Sequence, residues 1–233
     1  MLKNIVLFIS LVLLPLSVFA QSNFDKIPRL KPDLEKIKAD INNRNSKYYY
    51  PRLMEEFQRN DTLMKLEKYR YLYIGYSMQE DFNPYRSAVT KSTAVNIERA
   101  RLTKAECAQV IEAANAALQN NPFDLQQMAI LIAALRQDKQ ENLAKIWQYK
   151  LNYILMTIVS TGTGADEDNA WYVIEPQHEY MLLNSMGYTV TNHLFCDPHY
   201  EYLTVVDSEG NKAGGFYFNI RLILEEYYRK FPE

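Results

Sequence analysis

The sequence has little of several residue types that carry chemistry. It contains two cysteines and three histidines among 233 residues, and none of its serines lies in the glycine-flanked pattern of a nucleophile elbow. Basic residues are not in excess, since 26 Lys and Arg stand against 28 Asp and Glu. A near-neutral chain has no electrostatic footprint for nucleic acid or anionic lipid. We therefore predict no nucleic-acid partner, no catalytic residues, no metal and no cofactor.

The first twenty residues have the order of a secretory leader. Lys3 supplies the positive start, residues 5–16 the apolar run, and residues 18–20 (Val-Phe-Ala) the small-residue cleavage pattern. We predict a signal peptide over residues 1–20, a mature chain from Gln21, and a periplasmic or secreted protein without an integral membrane segment after cleavage. Gln21 is not a cysteine, so it offers no acceptor for a lipoprotein anchor. The alternative is an uncleaved anchor, although the run falls short of the roughly 20 apolar residues of a spanning helix.

The pattern over residues 21–160 predicts a helical bundle. Three amphipathic helices precede residue 80, and each has a start signal. The signals are Pro32 for a helix to about residue 42, Pro51 for the second helix, and Asp61-Thr62 for the third. A loop from Gln79 to Tyr85 ends the series, because Asn83-Pro84 disfavours helix.

Three more helices are expected between Thr103 and Val159. Thr103 and Glu106 fit a capping box, Asn120-Asn121-Pro122 stops the first of these helices, and the third begins near Gln140. Small alanines at the contact positions and the Asn-Pro turn make the first pair resemble a tetratricopeptide unit. One good copy is present, so a plain helical bundle is the alternative.

From Gly162 the pattern changes to alternation, which predicts a small α+β domain over residues 161–233. The expected elements are strands Trp171–Ile174, Tyr188–Phe195, Tyr200–Val206 and Gly215–Asn219, a helix Pro176–Met186, and a last helix with Ile220, Ile223, Leu224, Tyr227, Tyr228 and Phe231 on one side. The predicted fold class is α+β, with a mostly helical, tetratricopeptide-like N-terminal bundle packed on a small antiparallel sheet with two helices.

Candidate chemistry in the C-terminal third is weak. His178, His193 and His199 have acids nearby in sequence, but they lack the spacing of a zinc site, and we expect them at the surface or at strand edges. The loop at residues 162–164 follows a helix, unlike a phosphate cradle, and Asp166 to Asn169 lack the spaced pattern of a calcium loop. Cys107 and Cys196 either form a disulfide or stay free, with Cys107 on an apolar helix stripe.

The best candidate residues for partner or ligand binding are aromatic. Phe82, Asn83, Tyr85 and Arg86 form a loop that combines aromatic rings with a guanidinium group, as interface anchors do, and Trp171 opens the first strand. The expected partner is an envelope protein or a glycan. The alternative is that Phe82 and Tyr85 pack onto the bundle as plugs.

Three stretches carry a family resemblance. They are residues 49–54 (Tyr-Tyr-Pro-Arg-Leu-Met), residues 79–85 (Gln-Glu-Asp-Phe-Asn-Pro-Tyr) and the tail from Gly162 to Asn219. Together they resemble an uncharacterised domain-of-unknown-function family of secreted Bacteroidetes proteins, over about Tyr48 to Phe231. The resemblance implies an exported protein with this two-part layout, and it brings no activity or site residues. Thr163 stands where the family pattern would have Asp, which counts against a cation role for that loop.

Three functional hypotheses follow. The first is an exported protein of unknown function that serves as a non-catalytic protein-interaction or accessory module of the cell envelope. The second is a glycan-binding or peptide-ligand-binding protein that uses exposed aromatic residues. The third is an unrecognised hydrolase that uses His178 and His199 with neighbouring acids.

Overall fold

Three helices form the first part of the structure. The computed structural model describes residues 27–86 and 102–232, so the predicted signal peptide lies outside the described residues. The helices are α1 (Leu34–Asn42), α2 (Tyr50–Gln58) and α3 (Leu66–Tyr76). Helices α1 and α3 lie within their predicted stretches, and α2 begins one residue before the predicted Pro51. Helix α3 buries the predicted tyrosines Tyr69, Tyr73 and Tyr76.

Two of the predicted helix starts are wrong. The N-cap of α1 is Asp33, whose carboxylate accepts a hydrogen bond from the Lys36 amide at 3.0 Å, so Pro32 precedes the helix. Asp61 does not cap α3, which begins at Leu66. The Asp61 carboxylate accepts a bond from the Leu63 amide at 2.8 Å instead. This local side-chain bond competes with helix formation and holds residues 61–63 in a turn.

Helices α4 (Lys104–Asn120), α5 (Leu125–Gln137) and α6 (Glu141–Val159) follow in sequence, and α5 packs against both of its neighbours. The capping box of Thr103 and Glu106 is confirmed. Helix α5 is buried around most of its circumference, as expected for a helix enclosed by others. Its buried residues are Leu125, Gln127, Met128, Ala129, Ile130, Leu131, Ile132, Ala134 and Leu135.

The C-terminal part contains four strands and two helices. The strands are β1 (Trp171–Tyr172), β2 (Thr189–Cys196), β3 (Tyr200–Val206) and β4 (Lys212–Asn219), and the helices are α7 (Pro176–Ser185) and α8 (Arg221–Lys230). The strand order is β1-β4-β3-β2. Strands β2, β3 and β4 are antiparallel, whereas β1 is parallel to β4, with Trp171 opposite Phe218.

The α+β class is confirmed, but the sheet is mixed rather than antiparallel. Strand β1 lies beside β4, the last strand of the chain, because α7 carries the chain away before the β2–β3 hairpin begins. Strand β1 is also shorter than predicted, since the Ile174 amide donates to the Tyr73 hydroxyl rather than to a strand. Strand β4 begins three residues earlier than predicted, at Lys212. Within the described ranges no helix is long and apolar enough to cross a membrane.

The glycine loop after α6 connects the helices to the sheet. The Trp171 indole donates to the Gly162 carbonyl at 3.1 Å, and the Tyr217 amide donates to the Gly164 carbonyl at 2.8 Å. A Cβ atom at Gly162 would lie 2.1 Å from the Asn169 carbonyl oxygen, so this approach requires glycine. One hydrophobic core runs through both parts. The division into domains at residues 160 and 161 stays a prediction.

The start of α5 offers a stability test. Asp124 is its N-cap, and the carboxylate accepts a hydrogen bond from the Gln127 amide at 2.9 Å. We expect Asp124→Ala to lower the free energy of unfolding by about 1–2 kcal/mol, because a buried helix amide loses its acceptor. Asp124→Asn keeps an acceptor oxygen, so its loss of unfolding free energy, measured by urea denaturation, should be less than half that of Asp124→Ala. An equal loss in the two variants would mean that the capping bond is not the cause.

Candidate binding surface

The predicted aromatic loop is fixed to the helical bundle by its first residue. Phe82 is fully buried, and its ring meets the Tyr76 ring edge to face at a centroid distance of 5.4 Å. Phe82 therefore packs as a plug and is not available to a partner. Asn83 shapes the turn that follows, because its side-chain oxygen accepts a bond from the Tyr85 amide at 3.1 Å.

Arg86 holds the other end of the loop. Its guanidinium group donates to the backbone carbonyls of Asp81 and Asn120, so it joins the loop to the end of α4. These bonds use the Arg86 side chain as a clamp rather than as a free cation. Tyr85 is the member of the loop whose side chain remains exposed.

Tyr85 belongs to a larger group of exposed aromatic side chains. Its ring lies 6.4 Å from that of Tyr227, which in turn lies 5.6 Å from Tyr228 and 5.2 Å from Phe231. The four side chains are 52%, 43%, 56% and 62% exposed, in the order Tyr85, Tyr227, Tyr228, Phe231. We call these four residues the aromatic surface. Contiguous exposed apolar area of this kind marks an interaction site more often than scattered single residues do.

The exposure of the α8 aromatics corrects the prediction that they share one apolar side with Ile223. Helix α8 buries Leu222, Ile223 and Glu226, and Glu226 follows the other two by four and three residues. Tyr227 is one position beyond Glu226 and therefore about 100° further around the helix. A signal was present in the sequence, since Tyr228 is two positions beyond Glu226 and therefore about 200° further around the helix, on its opposite side.

Ion pairs fix the end of α8 beside the loop. The buried Glu226 carboxylate accepts bonds from the Arg229 guanidinium at 2.7 and 2.8 Å and lies 3.0 Å from the Lys230 ammonium. The Arg229 bonds, followed by the Lys230 bond and charge, lower the pKa of Glu226. Lys230 also donates to the Phe82 carbonyl at 3.3 Å. The aromatic surface is thus carried by two segments that are joined to each other, which reduces the entropy lost when a partner binds.

Trp171 lies elsewhere and is a core residue. It is buried, its ring stacks on Phe216 at 5.1 Å with an interplanar angle of 21°, and its indole N–H is bonded within the glycine loop. We therefore do not place Trp171 in the aromatic surface, although the sequence made it a candidate.

His178 is also buried, contrary to the expectation of a surface or edge histidine. Its Nε2 lies 2.9 Å from the Phe123 carbonyl oxygen, and its Nδ1 lies 2.7 Å from the Tyr73 hydroxyl. A carbonyl only accepts, so Nε2 carries the proton and Nδ1 accepts from Tyr73. Burial lowers the pKa of His178 to about 4. The ring is therefore neutral at pH 7, and both of its nitrogens have partners inside the fold.

Glu175 lies next to this histidine. Its carboxyl accepts a bond from the Asn121 amide group at 2.8 Å, and its second oxygen lies 3.7 Å from Nε2 of His178. Burial is the main cause that raises the pKa of Glu175 to about 8. At pH 7 both groups are mostly neutral, so their proximity is not an ion pair.

Glu179, one turn further along α7, is the most deeply buried acid in the described part of the chain. Neither carboxyl oxygen has a donor partner there, and its polar neighbour is the Glu201 carboxylate. Burial, followed by the charge and hydrogen bond of Glu201, raises the pKa of Glu179 well above its usual range. Two carboxyl groups in contact require a proton on one of them, and the buried group holds it. Glu201 in turn lies 3.1 Å from Nε2 of the half-exposed His193.

The other candidates for chemistry lie apart from this buried layer. The His199 ring packs on Tyr200 at 4.4 Å, whereas the ring nitrogens of His178 are bonded to Tyr73 and the Phe123 carbonyl. Cys107 and Cys196 are both free, which decides between the two predicted alternatives. Among residues 27–86 and 102–232, no three His, Cys, Asp or Glu side chains are grouped to hold a metal ion.

Comparison with known proteins gives one match. A family model described as a domain of unknown function, DUF4919, matches residues 35–229. The matched segment includes Tyr85, Tyr227 and Tyr228 of the aromatic surface. No curated protein and no solved structure matches the chain.

Proposed function

The chain belongs to the DUF4919 family, and since that membership carries no known function, we propose from the structure that the protein binds a partner protein through the aromatic surface. The observation that carries the proposal is the convergence of Tyr85, Tyr227, Tyr228 and Phe231 on the outside of the fold. Tyrosine and phenylalanine are enriched at protein interfaces, where they combine large apolar area with few rotatable bonds.

The frame beneath this surface supports the same function. Phe82 anchors the loop in the core, Arg86 clamps it to α4, and Lys230 joins it to α8. A partner would therefore meet a surface that is already in place. The buried His178 and Glu175 make a poor case for hydrolysis, because Tyr73, Phe123 and Asn121 hold them in hydrogen bonds inside the fold.

We place this binding activity outside the cytoplasm, in the periplasm or beyond the cell. The support for this part of the proposal is the order of charged, apolar and small residues over positions 1–20. An accessory role in the cell envelope fits a non-catalytic protein that presents one aromatic surface. Residues 104–159 place three helices in sequence, as tetratricopeptide partner platforms do, and we include that likeness in the proposal.

Substitutions on α8 test the proposal. We expect the double change Tyr227→Ala and Phe231→Ala to weaken partner binding at least tenfold, because central aromatic anchors supply most of an interface's binding energy. The full chain would be tagged and crosslinked mildly in its native cells, its partner identified by mass spectrometry, and the affinity of the purified pair measured by calorimetry.

Phe195→Ala provides a matched control. Phe195 is half exposed on β2, outside the aromatic surface, so its removal should leave the affinity within twofold. Equal affinity of the double variant and the unchanged protein would refute the proposal. If no protein partner is found, and the unchanged chain binds a glycan that the double variant does not bind, the proposal is also refuted and the glycan-binding alternative is favoured.

A further inference from the structure

Lys150 of helix α6 is a buried cation without a counterion. Only 4% of the surface of this residue is exposed. The ammonium nitrogen lies 4.4 Å from the centroid of the Phe57 ring and 4.2 Å from that of Trp147. It has no ion pair or hydrogen bond with any residue in the described ranges. Aromatic faces stabilise a cation but leave all three of its N–H donors unused.

The residues around Lys150 line an open cleft of about 680 Å³, a volume typical of small-molecule sites. Apolar contact area comes from Phe57, Leu118 and Trp147. Four side-chain amides also face the cleft, and none of them has a hydrogen-bond partner in the described part of the chain. They belong to Gln58, Asn60, Asn115 and Gln119. No acid lines the cleft, so Lys150 is its one charged group.

We propose that this cleft binds a sugar acid, whose carboxylate pairs with Lys150 and whose hydroxyl groups bond to the side-chain amides. An anion is required because the lining carries a positive charge that nothing in the cleft neutralises. A charge-assisted bond to a buried ammonium is worth about twice a neutral one. Hydroxyl groups suit the amides, which offer both donors and acceptors, and the Trp147 ring suits the apolar face of a pyranose.

The protonation of Lys150 predicts how the affinity for the ligand depends on pH. Burial lowers the pKa of Lys150 to about 8, with no acidic neighbour to oppose the shift. The carboxylate of a sugar acid stays ionised above pH 5, so only the lysine titrates in the alkaline range. We expect affinity to be nearly constant from pH 6 to 7 and to fall as the pH rises past 8, approaching tenfold per pH unit.

The test is calorimetric titration of the full chain with D-glucuronate, using D-glucose and acetate as the matched neutral sugar and simple carboxylate. The expected result is that glucuronate binds at least tenfold more tightly than either. Lys150→Met, which keeps the length and apolar stem of the side chain, should reduce glucuronate affinity at least tenfold and abolish the alkaline fall. The control is Lys145→Met, which removes an exposed lysine of the same helix. It should change neither the affinity for glucuronate nor the fall in affinity at alkaline pH.

A thermal denaturation scan accompanies the titrations. We expect Lys150→Met to melt at the same temperature as the unchanged chain or higher, because a buried charge without a partner is costly. Should this variant fail to fold, it is replaced by Asn115→Ala, which changes a half-buried residue of the cleft. This variant should weaken the binding of glucuronate but not that of acetate. Glucuronate binding that survives Lys150→Met, or binding no tighter than that of glucose, would overturn the proposal.

Discussion

Replacing Phe123 by alanine is expected to lower the free energy of unfolding by about 3–5 kcal/mol. Phe123 lies in the turn that connects α4 to α5, and its ring is fully buried. Its centroid lies 4.9 Å from that of Tyr76, 5.6 Å from Phe57 and 5.8 Å from Tyr73. Truncation would leave a cavity where α2, α3 and the α4–α5 turn meet, and three aromatic rings cannot collapse to fill it.

Urea denaturation at pH 7 measures this loss. The control is Phe195→Ala, which removes a half-exposed ring from an edge strand and should cost less than about 1 kcal/mol. The bond from His178 goes to the Phe123 carbonyl and is retained in the alanine variant, so the loss reports on ring packing. A cost below about 1.5 kcal/mol for Phe123→Ala would show that the aromatic cluster rearranges and that the ring is not central to the core.

The sequence predicts the helices well where local signals agree. Thr103 caps α4, and the apolar residues of α4 and α5 recur at helical spacing, so propensity, capping and burial all favour the same structure. Strand β3 has the predicted bounds, Tyr200–Val206, because alternation and the turns on both sides define it. Local signals do not determine which strand pairs with β1, and the parallel β1–β4 contact depends on the path of the whole chain.

The sites are harder to predict from the sequence than the elements that carry them. Lys150 follows Trp147 by three residues and precedes Ile154 by four, which places it on the apolar stripe of α6. That spacing was a signal of burial, but the aromatic ring of Phe57 comes from a distant helix. The burial of His178 likewise depends on Tyr73 and the Phe123 carbonyl, which are far away in sequence. Pairings across such separations leave no periodic trace in one sequence.

The stability of the protein is expected to fall as the pH rises from 6.5 to 8. Glu175, with a pKa of about 8, and Glu179, with a pKa well above its usual range, hold protons when folded but release them when unfolded. The folded state therefore binds more protons, and its advantage is lost as the pH rises towards the folded pKa values. Each acid contributes on the order of 1 kcal/mol per pH unit. Two groups act in the opposite direction, because their lowered pKa values make the unfolded chain the better proton acceptor. They are His178 below pH 6.5 and Lys150 as the pH nears 8.

Glu179→Gln isolates the contribution of Glu179, the more deeply buried of the two acids. The amide keeps the shape of the side chain and donates to the Glu201 carboxylate without titrating. We expect this variant to lose about half of the pH dependence between 6.5 and 8 and to be the more stable protein at pH 8, as measured by urea denaturation at half-unit intervals. Glu112→Gln, which changes an exposed acid of α4, should keep the slope of the unchanged protein. If Glu179→Gln also keeps that slope, the folded protein holds no extra proton at this pair of acids. The measurement thus decides whether the contact between α7 and β3 depends on a buried proton.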